Sequence, residues 1–245
     1  MRPVFFSDLD DTVFQTARKM ECPPRPERLA AEALNGSHSY MTAAQDMMMK
    51  WLLASTRFIP VTARSSEALG RCKLPFEDYQ ICTNGGVILT PSGTPDPDWH
   101  ARMKEEADAV ASGLENLMSF MARQTPAGRF RYWIVEDFGA GFYFCVKSNE
   151  DARRLDDIDA ELCEVAGAAL VRHRNDNNLS FTPAGISKRH AVQYLAEKLA
   201  LDGSSVPVFG MGDSLTDLPF MAACDMLVIP KNSQIAQIKL CPEDG

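Results

Sequence analysis

The stretch that most constrains the fold is "VFFSDLDD", Val4 to Asp11, a short apolar run that ends in three carboxylates, Asp8, Asp10 and Asp11. An apolar run without polar alternation reads as a strand buried on both faces, the kind found inside a parallel sheet. Three further runs have the same form: "FIPVTARS" at 58–65, "VPVFGMGDS" at 206–214 and "DMLVIP" at 225–230. Segments of helical period lie between them: "ERLAAEAL", "AAQDMMMKWLLAS", "SKRHAVQYLAEKLAL" and "LTDLPFMAA". Strand and helix patterns in alternation predict βαβ units and a parallel sheet, whose chemistry sits at the carboxyl ends of the strands.

The middle of the chain has another character. After "TNGGVIL" (83–89) comes the Pro/Gly-rich turn "TPSGTPDPD", then a long helical pattern from about residue 99 to 124. The strand-like stretches "FRYWIVED" and "GFYFCVK" follow, joined by a turn at Gly139–Gly141, then a helix around 151–166 and the strands "AALVRHR" and "NLSFTP". This predicts an α+β module over residues 86–184, inserted into a parallel-sheet domain made of residues 1–85 and 185–245. A chain of 245 residues has room for both.

Composition narrows the function classes. A net charge of −8 argues against a nucleic-acid-binding face, which needs clustered basic residues. No apolar run is long enough to span a bilayer, and no basic-then-apolar leader precedes the first strand, so the expected location is the cytoplasm. The cysteines, Cys22, Cys72, Cys82, Cys145, Cys163, Cys224 and Cys241, are odd in number and form no CxxC pair. Free, mostly buried thiols are expected. Oligomeric state is left open.

The carboxylates carry the chemical signal. Asp8 and Asp10 can turn toward one point just past the strand end, where two carboxylates repel each other unless a cation or a shared proton intervenes. A helix cap or a solvated turn is the other reading of such a pair. The second cluster, Asp213 and Asp217 in "FGMGDSLTD", ends another strand in the same way, and two such clusters are more economically a site for a hard divalent ion such as Mg²⁺. Thr62 and Arg64 in "VTARS" offer a hydroxyl and a guanidinium for phosphate oxygens. Lys188 in "GISKRHAV" opens a helix, where its bland role is a solvated cation and its functional role is to neutralise a phosphate and an aspartate.

"DLDDT", "VTARS", Lys188 and "GMGDSLTD", in that order and spacing, resemble the four motifs of the haloacid dehalogenase (HAD) superfamily of phosphohydrolases. The large insert between the second and third motifs is similar to the subgroup holding the Cof-type sugar phosphatases, sucrose-phosphate phosphatase and mannosyl-3-phosphoglycerate phosphatase. The resemblance implies a Rossmann-like parallel-sheet core with an inserted α+β cap domain acting over the strand ends. It implies that Asp8 is the nucleophile and Asp10 the general acid and base. Mg²⁺ would be held by Asp8, the backbone carbonyl of Asp10, and Asp213, with Asp217 beside them, and Thr62 and Lys188 would bind the phosphoryl group. The implied substrate is a small phosphorylated metabolite such as a sugar or sugar-acid phosphate. A phosphomutase of the phosphomannomutase type, or a phosphate-binding protein without turnover, are the rival readings.

Asp11 stands where many relatives carry glycine, and Ala63 where the sugar-phosphatase subgroup often has one. The segment between the first two motifs, with "NGSHSYMT" (35–42), is longer than in those relatives, and His38 and Tyr40 in it could reach the site. Candidate substrate contacts are Arg64, Asn84, Arg172 and Arg174, with Arg129, Arg131 and His173 as further basic residues of the insert. Met47, Met48, Met49, Trp51 and Leu52 are expected to pack on the sheet, and Asn232 to orient the loop of the fourth motif.

Overall fold

In the computed structural model, four short strands run parallel in the order Met226–Val228, Val208–Met211, Val4–Ser7, Arg57–Pro60. The structure describes residues 2–124, 128–175, 177–203 and 205–238, so Cys241 lies outside the described residues. The Val4–Ser7 strand is central and buried along its whole length, which is why its sequence lacks polar alternation. Phe5 stacks on Phe209 of the neighbouring strand, ring centroids 4.5 Å apart. Beyond Pro60 an isolated parallel bridge joins Val61 to Ile81, and Gln80–Cys82 pairs antiparallel with Val87–Leu89.

The helix Ala43–Ser55 starts where its sequence says it should. The Thr42 hydroxyl accepts from the Gln45 amide at 3.2 Å, and the Gln45 side chain accepts from the Thr42 amide at 2.9 Å, a reciprocal cap that satisfies two otherwise orphaned donors. Of the Met47–Leu52 run only Met49 and Leu52, one helical turn apart, are buried in the core, whereas Met47 is 72% and Trp51 60% exposed. The expected packing of the whole run therefore holds for one stripe of the helix.

The segment "ERLAAEAL" is not the helix its composition predicts. Pro26–Arg28 is a single 3-10 turn, and Leu29–Ala31 is a strand paired with Ser39–Tyr40, which pairs in turn with Gln15–Thr16. Helix propensity is worth only tenths of a kcal/mol per residue, and the partner strands together with buried Ala30 and Ala31 outweigh it. Tyr40 belongs to this small sheet and His38 precedes its strand, where His38 Nδ1 accepts from the Ala33 amide at 3.0 Å.

The chain divides into two units, Met1–Asp96 with Lys188–Gly245, and Pro97–Ser187. The first break falls later than residue 86 because Val87–Leu89 pairs with the Gln80–Cys82 strand. Asp96, 1% exposed, is also held by the Tyr194 hydroxyl at 2.8 Å and by Lys198 Nζ at 2.7 Å, both on the helix Lys188–Lys198. In the second unit the helices Pro97–Gln124 and Asp156–Ala166 pack on an antiparallel sheet of four strands, ordered Leu170–Asn175, Asn178–Pro183, Ala140–Ser148, Phe130–Asp137. Its core gathers Leu117, Met121, Phe144, Leu162, Leu179 and Phe181, among others. None of the described cysteines forms a disulfide, and among them only Cys82 and Cys145 are buried, fewer than expected. No helix among the described residues is long and apolar enough to cross a membrane.

Phe144 is fully buried in that core. Phe144→Ala is expected to destabilise the second unit by about 3–5 kcal/mol, read as a lower urea midpoint at unchanged slope.

Candidate active site

The strand register sets the site. Ser7 is level with Met211 on one side and Pro60 on the other, so the residues that follow, Asp8, Asp213 and Thr62, emerge together at the carboxyl edge. The Asp8 amide donates to the Met211 carbonyl at 2.8 Å and the Val61 amide to the Ser7 carbonyl at 2.7 Å. The strand pairing therefore continues one step into the loop that carries Asp8 and Asp10.

Glycine makes the fourth motif possible. A Cβ at Gly210 would lie 2.8 Å from the Met221 Cα, and one at Gly212 2.6 Å from the Asp217 Cβ. Only a bare backbone lets the turn Leu218–Met221 press against the strand and bring Asp217 inward. In the first motif Asp11 has φ 63°, and in "TNGG" Thr83 and Asn84 have φ 52° and 56°. The left-handed backbone at Asp11 explains why glycine suits that position. Asp11 keeps it with a hydrogen bond from Lys19 Nζ at 2.5 Å.

Lys188 lies at the centre. Its Nζ donates to Asp8 Oδ1 at 2.6 Å and to Asp217 Oδ1 at 2.7 Å, and all three side chains are at most 10% exposed. Burial alone would push the ammonium pKa down, but Asp217 and Asp8 hold it above the ordinary lysine value. Asp217 is tied on its other oxygen as well, by the Ser214 amide at 3.1 Å and the Ser214 hydroxyl at 2.7 Å. Asp8 is raised well above the usual carboxylate range, first by burial and then, against the pull of Lys188, by Asp217 and Asp10.

Asp213 completes the group. Oxygen atoms of Asp8, Asp213 and Asp217 lie within 4.8 Å of one another. The Thr12 hydroxyl is 3.1 Å from Asp8 Oδ2 and 3.2 Å from Asp213 Oδ1, but it has one proton and cannot serve both. Burial, and then the negative charges of Asp217 and Asp11, push Asp213 up to about 6. Three oxygen donors with surplus negative charge suit a hard divalent cation.

The remaining predicted residues are placed as follows. Thr62 is buried, and its hydroxyl oxygen accepts from the Arg64 amide at 3.1 Å. Asn84 is half-buried, and its amide donates to the Thr62 carbonyl at 3.0 Å. Arg64 engages both oxygens of Asp10, at 2.8 and 2.7 Å. Arg172, exposed, pairs with Asp159, and Arg174 bonds the Ala152 carbonyl at 2.8 Å with Asp156 at 3.4 Å. Arg129 pairs with Asp157 at 2.8 Å. Asn232 is exposed. The loop of the fourth motif is held instead by Gln234, which accepts from the Leu215 amide at 2.9 Å, and by the Ile235 amide, which donates to the Asp213 carbonyl at 3.0 Å.

Sequence reasoning missed Thr12 and Ser214. Each lies inside a quoted motif, and the signal was their hydroxyl type one turn from an aspartate.

The model of one protein family, sucrose-6F-phosphate phosphohydrolase, matches residues 1–243. The chain belongs to that family. It is a HAD-type phosphoric monoester hydrolase. Solved structures of the same fold include the sucrose-phosphatase of Synechocystis sp. PCC6803 in complex with sucrose and phosphate, at 17% identity and TM-score 0.54, covering 96% of this chain and 85% of that one. A trehalose-6-phosphate phosphatase related protein is similar at 17% identity and TM-score 0.56, covering 92% and 85%. A Thermoplasma acidophilum protein is similar at 12% identity and TM-score 0.57, covering 95% and 86%. No protein of curated function matches the chain in sequence.

Lys188→Met leaves Asp8 and Asp217 buried without their shared cation. In metal-free buffer near neutral pH the loss of stability is expected to be about 3–5 kcal/mol. Asp8 already holds its proton more tightly folded than unfolded, so acid relieves the repulsion and the loss shrinks as pH falls. Urea unfolding of both proteins at neutral and mildly acidic pH checks this, and a pH-independent difference would contradict it.

Proposed function

We propose that the chain is a Mg²⁺-dependent phosphomonoesterase that hydrolyses a small phosphorylated sugar or sugar acid through an aspartyl-phosphate on Asp8. The observation that carries this reading is the buried contact of Asp8 with Lys188, beside Asp213 and Thr12. Lys188 pulls the Asp8 carboxyl toward its ionised form against the burial that raises it, at a place where a phosphoryl group can be met by a cation and hydroxyls. The sugar assignment is supported by the matching family description and by the fold relatives named for sucrose and trehalose-6-phosphate.

Asp8 Oδ attacks phosphorus while the bond to the leaving oxygen breaks, and Asp10 gives that oxygen its proton. Asp10 then takes a proton from water. The resulting hydroxide attacks the phosphorus, the bond to Asp8 breaks, and inorganic phosphate leaves with Asp8 restored. Lys188 neutralises the transferring group, and Thr62, whose hydroxyl oxygen already accepts from the Arg64 amide, has its own proton to donate to a phosphoryl oxygen. Asp8, Asp213 and the backbone carbonyl of Asp10 would hold Mg²⁺, with Asp217 beside them. When bound, the cation supplies charge neutralisation at the phosphoryl oxygens.

The test is phosphate release from a panel of phosphorylated sugars with and without Mg²⁺, run beside Asp8→Asn. Mg²⁺-dependent release that falls to background in the variant is expected, because an amide is a poor nucleophile. Release that survives in Asp8→Asn would remove Asp8 from the role.

A second consequence concerns pH. Asp213 has a folded-state value of about 6 against an ordinary 3.8, so without metal its contribution to stability falls as pH rises through that window. A cation needs the ionised form and competes with the proton. The rise in melting temperature on adding Mg²⁺ is therefore expected to be larger near pH 7.5 than near pH 5, and to vanish in Asp213→Asn. Thermal unfolding at both pH values measures it, and an equal rise in the variant would place the ion elsewhere.

A further inference from the structure

Read from the sequence, Arg64 offers its guanidinium to phosphate oxygens, yet in the structure that guanidinium is committed to another partner. Nε donates to Asp10 Oδ2 at 2.8 Å and Nη2 to Asp10 Oδ1 at 2.7 Å, a two-point contact that fixes the plane of the carboxylate. The guanidinium carbon stands 5.1 Å from the ring centroid of Phe14, which is fully buried. Arg64 is itself pinned at both main-chain ends: its amide donates to the Thr62 hydroxyl at 3.1 Å, and its carbonyl accepts from the Thr83 amide at 2.6 Å. The Arg64 side chain is 17% exposed and that of Asp10 47%. The more ordered partner thus holds the freer one.

We propose that Arg64 is a positioning residue for Asp10, its fork fixing the Asp10 carboxylate while the Phe14 ring fixes the fork. The inference rests on the reading of Asp10 as the group that handles the leaving oxygen's proton. A half-exposed aspartate on a loop samples several rotamers, and proton transfer needs one of them. A lysine at this position would reach one oxygen and leave the carboxylate free to turn about that contact, which is why a planar fork suits the task. The same geometry opposes a phosphate-binding role for Arg64, because turning the fork to a phosphoryl oxygen would cost Asp10 both bonds.

The test compares kcat/KM on p-nitrophenyl phosphate, whose leaving group departs without a proton, with kcat/KM on an alkyl phosphate, whose leaving group needs one. Arg64→Met is expected to lower the alkyl value by about tenfold to hundredfold and the p-nitrophenyl value by much less, with inhibition by inorganic phosphate unchanged within about twofold. Arg64→Lys should recover part of the loss, and Arg64→Met should cost nothing further on an Asp10→Asn background. Equal losses on both substrates with weakened phosphate inhibition would overturn the proposal in favour of a direct contact with the phosphoryl group. Full activity of Arg64→Met, or additive losses in the double variant, would overturn it as well.

Should Arg64→Met fail to fold, Arg64→Lys decides alone, since it keeps the charge and loses the fork. It should show the same dependence on leaving group in smaller degree, and equal effects on both substrates would count against positioning. The premise is separately visible: if Asp10→Asn itself loses no more on the alkyl phosphate than on the aryl one, the role of Asp10 falls and that of Arg64 with it.

Discussion

The site depends on one buried cation. Lys188 joins the end of the first strand, through Asp8, to the loop after Val208–Met211, through Asp217, and it does so from the first residue of a helix. Three charged side chains this far out of water are costly to bury, and replacement of a buried ion group by apolar residues of similar volume is often neutral or stabilising. Stability alone is then a poor reason for the triad. What apolar packing could not supply is a carboxyl in a dry setting with a cation fixed on one oxygen and a hydroxyl 3.1 Å from the other.

The sheet does the placing with little freedom left over. In-register parallel pairing puts Ser7, Met211 and Pro60 on one level, and a single further step or two along each strand brings out Asp8, Asp213 and Thr62. Of the five non-glycine residues in left-handed backbone among the described residues, Asp11, Thr83 and Asn84 lie in the loops around the carboxylate cluster. Such conformations cost roughly 1–3 kcal/mol each and persist where surrounding bonds over-determine them. Here those bonds are visible: Lys19 on Asp11, the Arg64 carbonyl on Thr83, the Thr62 carbonyl on Asn84.

What the sequence shows directly is whatever depends on local pattern. "VFFSD" reads as a buried parallel strand because it has no alternation, and "MTAAQ" starts a helix because threonine and glutamine stand three residues apart. The hairpin is legible from the strand runs and Gly139, although the turn is made by Phe138–Gly139, both in left-handed backbone. Ala140 and Gly141 of the expected Gly139–Gly141 turn already belong to the next strand. Pairing between distant segments is not written locally. Leu29–Ala31 becomes a strand because Ser39–Tyr40 lies beside it, and the Arg64–Asp10 contact links residues 54 apart. The motifs name Arg64 and Asp10 as members of one site without saying that each is the other's partner.

The distribution of charge partners within the site gives its acids different tasks. Asp10 has Arg64, Asp11 has Lys19, and Asp8 and Asp217 share Lys188. Asp213 is left with part of the Thr12 hydroxyl, and its neighbours Asp217 and Asp11 raise its proton affinity further. Lys188 brings one positive charge to two carboxylates, so the deficit of positive charge is shared between the Asp8–Asp217 pair and Asp213. A resident cation would relieve it there. A cation would be best received between Asp213 and Asp8, because both oxygens of Asp217 are already engaged by Lys188 and Ser214.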